Sequence, residues 1–292
     1  MRAVLDDRGF LEVQTPLLVP GTCPDRAIES FEVPGAGEAR GESGYLVSST
    51  EYQLKRLYAE GVPAAYTLGP NFRRGDLGQF HNPEFTMLEW GRAGATMAEV
   101  EAEAEALVRA AAVAVGAPIP GTFARVDLRD LLAAVFGQPI RAWIEIEYIA
   151  GPFAPNDDAQ YAWVIDRALA TLNSALPTWI VGWPARMTAS AGLDPADPTV
   201  TLRSELYWRG LELADGFPFC NDAAWQRART REENAIRAAL GQVPIREDIR
   251  FLEAVAQLPT GAGMAMGVDR LCLALLGGER LTDVMSFGWG GR

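Results

Sequence analysis

Glu205 and Glu212 lie on either side of Trp208-Arg209 in TLRSELYWRGLELADGF (201–217), a stretch that alternates as a β-hairpin does. A turn at Trp208-Arg209 would set Tyr207 against Gly210 and Glu205 against Glu212. Directly opposed side chains approach within about 5 Å, where like charges repel. A hard cation such as Mg²⁺, which prefers carboxylates together with phosphate oxygens, would offset that repulsion. Two solvated glutamates on an edge hairpin, or a different turn register, are the alternative readings.

Two further stretches carry chemistry of the same kind. In GAGMAMGV (261–268) the small residues at 261–267 would let a ligand or another backbone approach the strand closely. Arg270 follows in the first turn of DRLCLALLGG (269–278), where the helix dipole disfavours a cation unless it faces an anion such as a phosphate. A surface arginine reaching into solvent is the plainer alternative. GQFHNPEFTMLEWG (78–91) holds the only histidine of the chain, His81, together with Glu84 and Glu89. At strand spacing Phe85, Met87, Glu89 and Gly91 share one face. A ring and a carboxylate on that face suit a base-stacking platform beside a cation pocket, and Arg73 on the preceding strand could meet an anion between them. Taken singly, Phe85 and Met87 read as core residues and His81 as a loop residue.

The elements that must position these residues are legible in outline. The first ten residues form the end of a helix stopped by Gly9, and FLEVQTPLLV (10–19) is a strand interrupted at Pro16. A loop rich in Gly and Pro leads to the strand YLVSS (45–49). TEYQLKRLYAEG (50–61) is a helix with Thr50 as cap and Gly61 as stop. AAYTLGPNFRR (64–74) and QFHNPEFTMLEW (79–90) form a hairpin across the short loop GDLG. TMAEVEAEAEALVRAAAVAVG (96–116) and NDAAWQRARTREENAIRAALG (221–241) are helices, and residues 117–180 contain no recognisable motif. Strands in hairpins with helices between them predict an α+β fold, with a largely antiparallel sheet in a single domain covering 1–292.

Composition narrows the function. The chain has 292 residues, 49% of them hydrophobic, enough for a full core. No apolar run is long enough to cross a bilayer, and MRAVLDDRGF lacks the apolar stretch of a secretory signal, so a cytoplasmic protein is expected. One histidine and the scattered Cys23, Cys220 and Cys272 argue against a zinc cluster or a disulfide framework. With 26 basic against 38 acidic residues the net charge is −12, a poor basis for extensive tRNA or DNA contact.

Taken together, EVQTP, FRR…HNPEFTMLEW, ELYWRGLELADGF and GMAMGVDRL resemble the ordered motifs of class II aminoacyl-tRNA synthetases. The likeness is to the lysyl group, particularly the short paralogues that attach (R)-β-lysine to elongation factor P and lack an anticodon-binding domain. It runs over nearly the whole chain and is weakest in the middle. The resemblance implies the class II catalytic fold, a homodimer formed through the first motif, and activation of an amino acid by ATP with Mg²⁺. It implies that Arg73 holds the substrate carboxylate and the α-phosphate. Phe85 would stack on adenine, His81 and Asn82 would lie near the triphosphate, and Arg270 would sandwich adenine and reach the γ-phosphate. Glu205 and Glu212 would hold Mg²⁺, Glu51 the substrate ammonium. Ala265 matches the elongation-factor enzymes, where lysyl-tRNA synthetases carry glycine.

The departures concern both substrates. Gly75 replaces a glutamate that reads adenine, with Asp76 next door as substitute, and Gln79 replaces a loop arginine. Asp215 replaces an asparagine close to the substrate carboxylate. Gly91 and Phe219 replace the tyrosine and glutamate that hold a lysine side chain, which leaves Glu89 to face an ammonium almost alone. The expectation is an enzyme that handles lysine poorly or prefers a larger or less polar amino acid, with elongation factor P as the implied acceptor. A catalytically weakened regulator and a tRNA-charging or amide-forming enzyme are the two alternatives.

Overall fold

The computed structural model describes residues 1–22, 25, 28–37, 41–140, 158–173, 175–185, 190–239 and 241–289. Cys23 and part of the motif-poor middle lie outside them. The chain opens with helix α1 (Arg2–Asp6) and strands β1 (Leu11–Glu12), β2 (Leu18–Val19), β3 (Glu32–Val33) and β4 (Gly44–Leu46). Helix α2 (Glu51–Ala59), the pair β5 (Ala64–Phe72) and β6 (Glu84–Ala93), and helix α3 (Met97–Val115) follow. Next come β7 (Ala124–Asp127), α4 (Leu128–Phe136), α5 (Asp158–Leu169) and β8 (Thr178–Val181). The last third holds β9 (Ser204–Trp208), β10 (Leu211–Pro218), α6 (Ala223–Ala239), α7 (Ile249–Val255), β11 (Gly261–Gly267) and α8 (Val268–Leu276).

Eight strands form one sheet in the order β1-β5-β6-β11-β10-β9-β8-β7, and β2-β4-β3 form a small second sheet. The central strands β5 to β8 run antiparallel; only the edges, β1 on β5 and β7 on β8, pair in parallel. The α+β, largely antiparallel expectation therefore holds. FLEVQTPLLV does not form one broken strand, because its two halves join different sheets.

Alternation along the central strands divides the sheet into two faces. Leu88 and Trp90 of β6 and Met264 and Met266 of β11 turn to one side, into a core with Val100 and Leu107 of α3 and Leu271 of α8. Phe85, Met87, Glu89 and Gly91, and Gly263, Ala265 and Gly267, are thereby left to the opposite face. Helix α3 has its ends written in sequence: Thr96 and Glu99 form a reciprocal capping box, and Gly116 closes it in the left-handed conformation. The middle of the chain builds a satellite core on the same sheet, with Leu128, Leu132, Ile165 and Ile180 buried together.

Two expectations about hairpins are corrected. The β5–β6 connection is not the short loop GDLG but the whole of 73–83, since pairing ends at Phe72↔Glu84. The β9–β10 turn lies at Arg209-Gly210, both with positive φ (54° and 76°), as a two-residue turn matching the strand twist requires. Tyr207 therefore faces Glu212, and after a bulge between Glu212 and Ala214, Asp215 faces Glu205. The like charges directly opposed are Glu205 and Asp215, not Glu205 and Glu212.

Candidate active site

The bulge in β10 decides the chemistry of the exposed sheet face. Glu212 and Asp215 are separated by an odd step, which on a regular strand sends them to opposite faces. The extra residue of the bulge sends Leu213 and Ala214 together into the core and returns Asp215 to the side of Glu212. Register then aligns Thr67, Glu89, Ala265, Asp215 and Glu205 in one row across five strands. Above this row is a cavity of about 380 Å³, walled by α2, the 73–83 loop and the start of α8.

At one end of the cavity Arg73 lies over the ring of Phe85, 5.2 Å from its centroid. Its Nε is buried and makes no hydrogen bond among the described residues. A buried charged donor left unpaired is costly unless an acceptor arrives, so the arrangement fits an incoming carboxylate or phosphate. Arg270, in the first turn of α8, donates from Nη2 to Nε2 of His81 at 2.6 Å, from Nε to the Phe80 carbonyl and from Nη1 to the Glu212 carbonyl. An arginine only donates, so Nε2 of His81 is the unprotonated nitrogen. Burial, together with the Arg270 and Arg73 charges, holds the His81 pKa below its ordinary value, against the opposite pull of Asp76 and Glu212. His81 is thus a neutral partner that latches the loop to Arg270.

Other expected phosphate-side residues are placed differently. Asn82 lines the cavity, but its amide donates to the Glu84 carbonyl and accepts from the Trp289 backbone N–H, so it fastens backbone. Gln79 turns outside the cavity, donating to the Glu279 carbonyl at 2.7 Å. Gly75 sits at φ +83°, a conformation side chains rarely adopt, and the loop so bent brings Asp76 to the cavity wall. Asp269 was not anticipated: its Oδ2 accepts the Thr86 N–H at 2.6 Å and pins the start of α8 to β6.

At the other end of the cavity every carboxylate has a partner inside the protein. Glu89 accepts from the Ser49 hydroxyl at 2.5 Å and from both the backbone N–H and the hydroxyl of Thr50. Thr50 is the N-cap of α2, yet its own side chain caps nothing; Glu89 serves the helix start instead. Burial raises the Glu89 pKa, partly countered by these donors. Glu51 pairs with Lys55 one turn on at 2.5 Å, and the buried Lys55 ammonium lies 5.3 Å from the Phe217 ring. Arg203 forks onto Asp215, Nε–Oδ1 at 2.9 Å and Nη2–Oδ2 at 3.0 Å, and also reaches Glu205 at 2.5 Å. The Asp215 charge is therefore balanced within the chain. Lys55 and Arg203 went unread in the sequence, although Lys55 stands four residues from Glu51 on a helix and Arg203 two residues from Glu205 at the start of a strand, on the same face.

Phe219 fills the space expected over Gly91. A Cβ on Gly91 would come within 3.0 Å of Phe219 Cζ and 2.9 Å of the Tyr58 hydroxyl. The two rings stack at 5.1 Å with planes 13° apart, and Gly261 and Gly263 lie against the Phe219 edge. The loss of a side chain at 91 therefore opens no larger pocket.

Glu205 and Glu212 do not converge as a facing pair, but they occupy adjacent places on one face. Glu212 lines the cavity, while Glu205 lies fully buried, accepting from Tyr207 Oη at 2.8 Å and from Arg203. Burial raises the Glu205 pKa, and the charges of Glu212 and Asp215 add to the rise against the pull of Arg203. Three carboxylates, Glu205, Asp215 and Glu212, share Arg203 and Arg270 here, and a hard cation approached from the cavity side would meet Glu212 first. Among the described residues no three His, Cys, Asp or Glu side chains form a metal cage. A magnesium ion that keeps water and phosphate oxygens needs none.

An antiparallel sheet whose open face carries an arginine over an aromatic ring, a glycine-lined strand and a helix-start arginine is the catalytic architecture of class II synthetases. The chain belongs to that family: the model for tRNA synthetases class II (D, K and N) matches residues 1–289. It is similar to the elongation factor P–(R)-β-lysine ligases of Vibrio cholerae (34% identity) and Enterobacter sp. strain 638 (35%), each alignment covering 98% of this chain and 91% of the relative. The enzyme of that name from Photorhabdus laumondii is 36% identical over the same shares. None of the described helices is long and apolar enough to cross a membrane.

Proposed function

We propose that the cavity binds ATP and an amino acid, joins them as an aminoacyl-adenylate, and passes the acyl group to an amine of a protein acceptor. By the relatives' name that acceptor is elongation factor P. The observation that carries the reading is Arg73, whose buried Nε has no hydrogen-bond partner among the described residues and which lies over the Phe85 ring in the cavity.

In this reading adenine lies between Phe85 and Arg270. Arg73 draws the substrate carboxylate towards the α-phosphate, and Glu51, already paired with Lys55, also receives the α-ammonium, which leaves it no capacity for another cation. One carboxylate oxygen attacks the α-phosphorus, the bond from that phosphorus to the bridging oxygen breaks, and pyrophosphate departs. The acceptor amine then attacks the acyl carbon, AMP leaves, and the nitrogen loses its proton. Glu205 and Glu212 would hold Mg²⁺, which when bound supplies neutralisation of phosphate charge. No general base is assigned, since positioning and charge compensation carry such a step. His81, neutral and engaged by Arg270, holds that arginine in place.

Specificity is displaced from lysine, because Glu89 is spent on α2 and Phe219 stands on the side-chain wall. Residues 1–292 act as one catalytic domain in the cytoplasm, where ATP and an elongation factor are at hand. The exposed Leu11, Leu17 and Leu18, at 55%, 40% and 45%, support a homodimer through this segment. ATP–pyrophosphate exchange across a panel of amino acids tests the reading. Exchange driven by at least one amino acid supports it; none from folded, ATP-binding protein would make the chain a binding or regulatory protein instead.

A further inference from the structure

The wall that would meet the substrate side chain consists of Phe219, Tyr58, Phe217 and Gly263, with Gly91 behind the Phe219 ring. Phe219 has little freedom there. Its ring is stacked on Tyr58 and seated on three glycine positions of β6 and β11, where any Cβ would meet it at 3.2 Å or less. Tyr58 is held in turn by its hydroxyl bond to the Ala65 carbonyl at 3.0 Å. The aromatic wall is thus formed before substrate arrives.

The charges around this wall are closed as well. Glu89 accepts three hydrogen bonds from Ser49 and Thr50, Glu51 is paired with Lys55, and Asp215 is forked by Arg203. A second ammonium on a substrate side chain would enter a buried space where each nearby carboxylate is already engaged and a lysine and an arginine already stand. Burying a charge without a partner is strongly unfavourable, whereas an apolar side chain there gains contact with two rings at no electrostatic cost.

We infer that the amino acid taken by this pocket has an uncharged, apolar side chain, and that Phe219 is the residue that selects it. The inference rests on the amino-acid-activating reading above and names its substrate class. It excludes diamino acids as preferred substrates, whether α or β, because the exclusion comes from the distal ammonium.

The test uses aminoacyl-sulfamoyl-adenosines, stable mimics of the adenylate, titrated into the full chain by calorimetry. Leucyl and phenylalanyl mimics should bind at least tenfold tighter than lysyl and (R)-β-lysyl mimics, and F219E should reduce that preference at least tenfold. Equal binding, tighter binding of either lysyl form, or no binding of any mimic overturns the inference using the unaltered protein alone. Pyrophosphate exchange run in parallel separates the two proposals. Tight binding of a neutral mimic with no exchange for any amino acid upholds the pocket assignment and overturns the ligase reading.

Discussion

Arg203 bridges Asp215 and Glu205, two carboxylates brought face to face across β9 and β10. Glu205 is buried and Arg203 and Asp215 are half-buried beside it, so the guanidinium offsets the repulsion of the two carboxylates in this register. R203A should cost about 3–5 kcal/mol, the range for removing one partner of a buried ion pair, read as a lower denaturant midpoint. D215N removes one negative charge and retains the shape, and should be close to neutral in the same assay.

Arg73 behaves in the opposite way. Its Nε has no hydrogen-bond partner among the described residues, so truncation breaks no native bond there. R73A is expected to lower the rate of pyrophosphate exchange about 10²–10³-fold, the usual effect of deleting one charge-stabilising donor. Its unfolding midpoint should stay within about 0.5 kcal/mol of the unaltered protein. A large loss of stability would mark Arg73 as a structural residue.

The His81–Arg270 bond imposes a pH dependence. The folded-state pKa of His81 lies below its unfolded value of about 6.5. The unfolded chain therefore binds the proton more readily, and the stability contributed by the neutral ring is fully present above pH 6.5. It is lost progressively as pH falls below that value, when a protonated ring would face a second cation. Thermal unfolding followed between pH 7.5 and about pH 5 should show this loss, and H81N should flatten that part of the curve.

Gly91 and Phe219 should be energetically coupled. G91A places a methyl against the Phe219 ring and the Tyr58 hydroxyl, an overpacking worth about 1–3 kcal/mol. In F219A the same methyl meets an emptied space, so the double variant should be more stable than the sum of the single changes. A double-mutant cycle on chemical denaturation measures the coupling, and strict additivity would mean that the two positions do not touch.

The exposed leucines of the first two strands give a further expectation. L11K with L18K places two charges on an apolar edge and should abolish the proposed dimer, seen as a dimeric sedimentation coefficient for the unaltered protein and a monomeric one for the variant at micromolar concentration. An unchanged coefficient would remove this edge from the interface.

Much of the architecture was legible because its signals are local. Alternation in HNPEFTMLEW assigned Phe85, Met87, Glu89 and Gly91 to one face, and Thr96, Glu99 and Gly116 marked both ends of α3. Two positive-φ turn residues and one bulge were less visible. Arg209 is an unusual residue for such a turn, and a bulge leaves no residue-type signature, so the expected partner of Glu205 was wrong.

The sequence by itself determined the class: the hairpin strands around the site, the two faces of β6, the ordered motifs, and the residues at positions 91, 215 and 219. The tertiary structure decided what those residues mean, because each is resolved by a residue distant in the chain. Asp215 is balanced by Arg203 across a hairpin, Gly91 is covered by Phe219 from two strands away, and Glu89 is held by Ser49 and Thr50 at the start of α2. Hydrogen bonding and exclusion act between neighbours in space, and sheet register and the β10 bulge choose those neighbours.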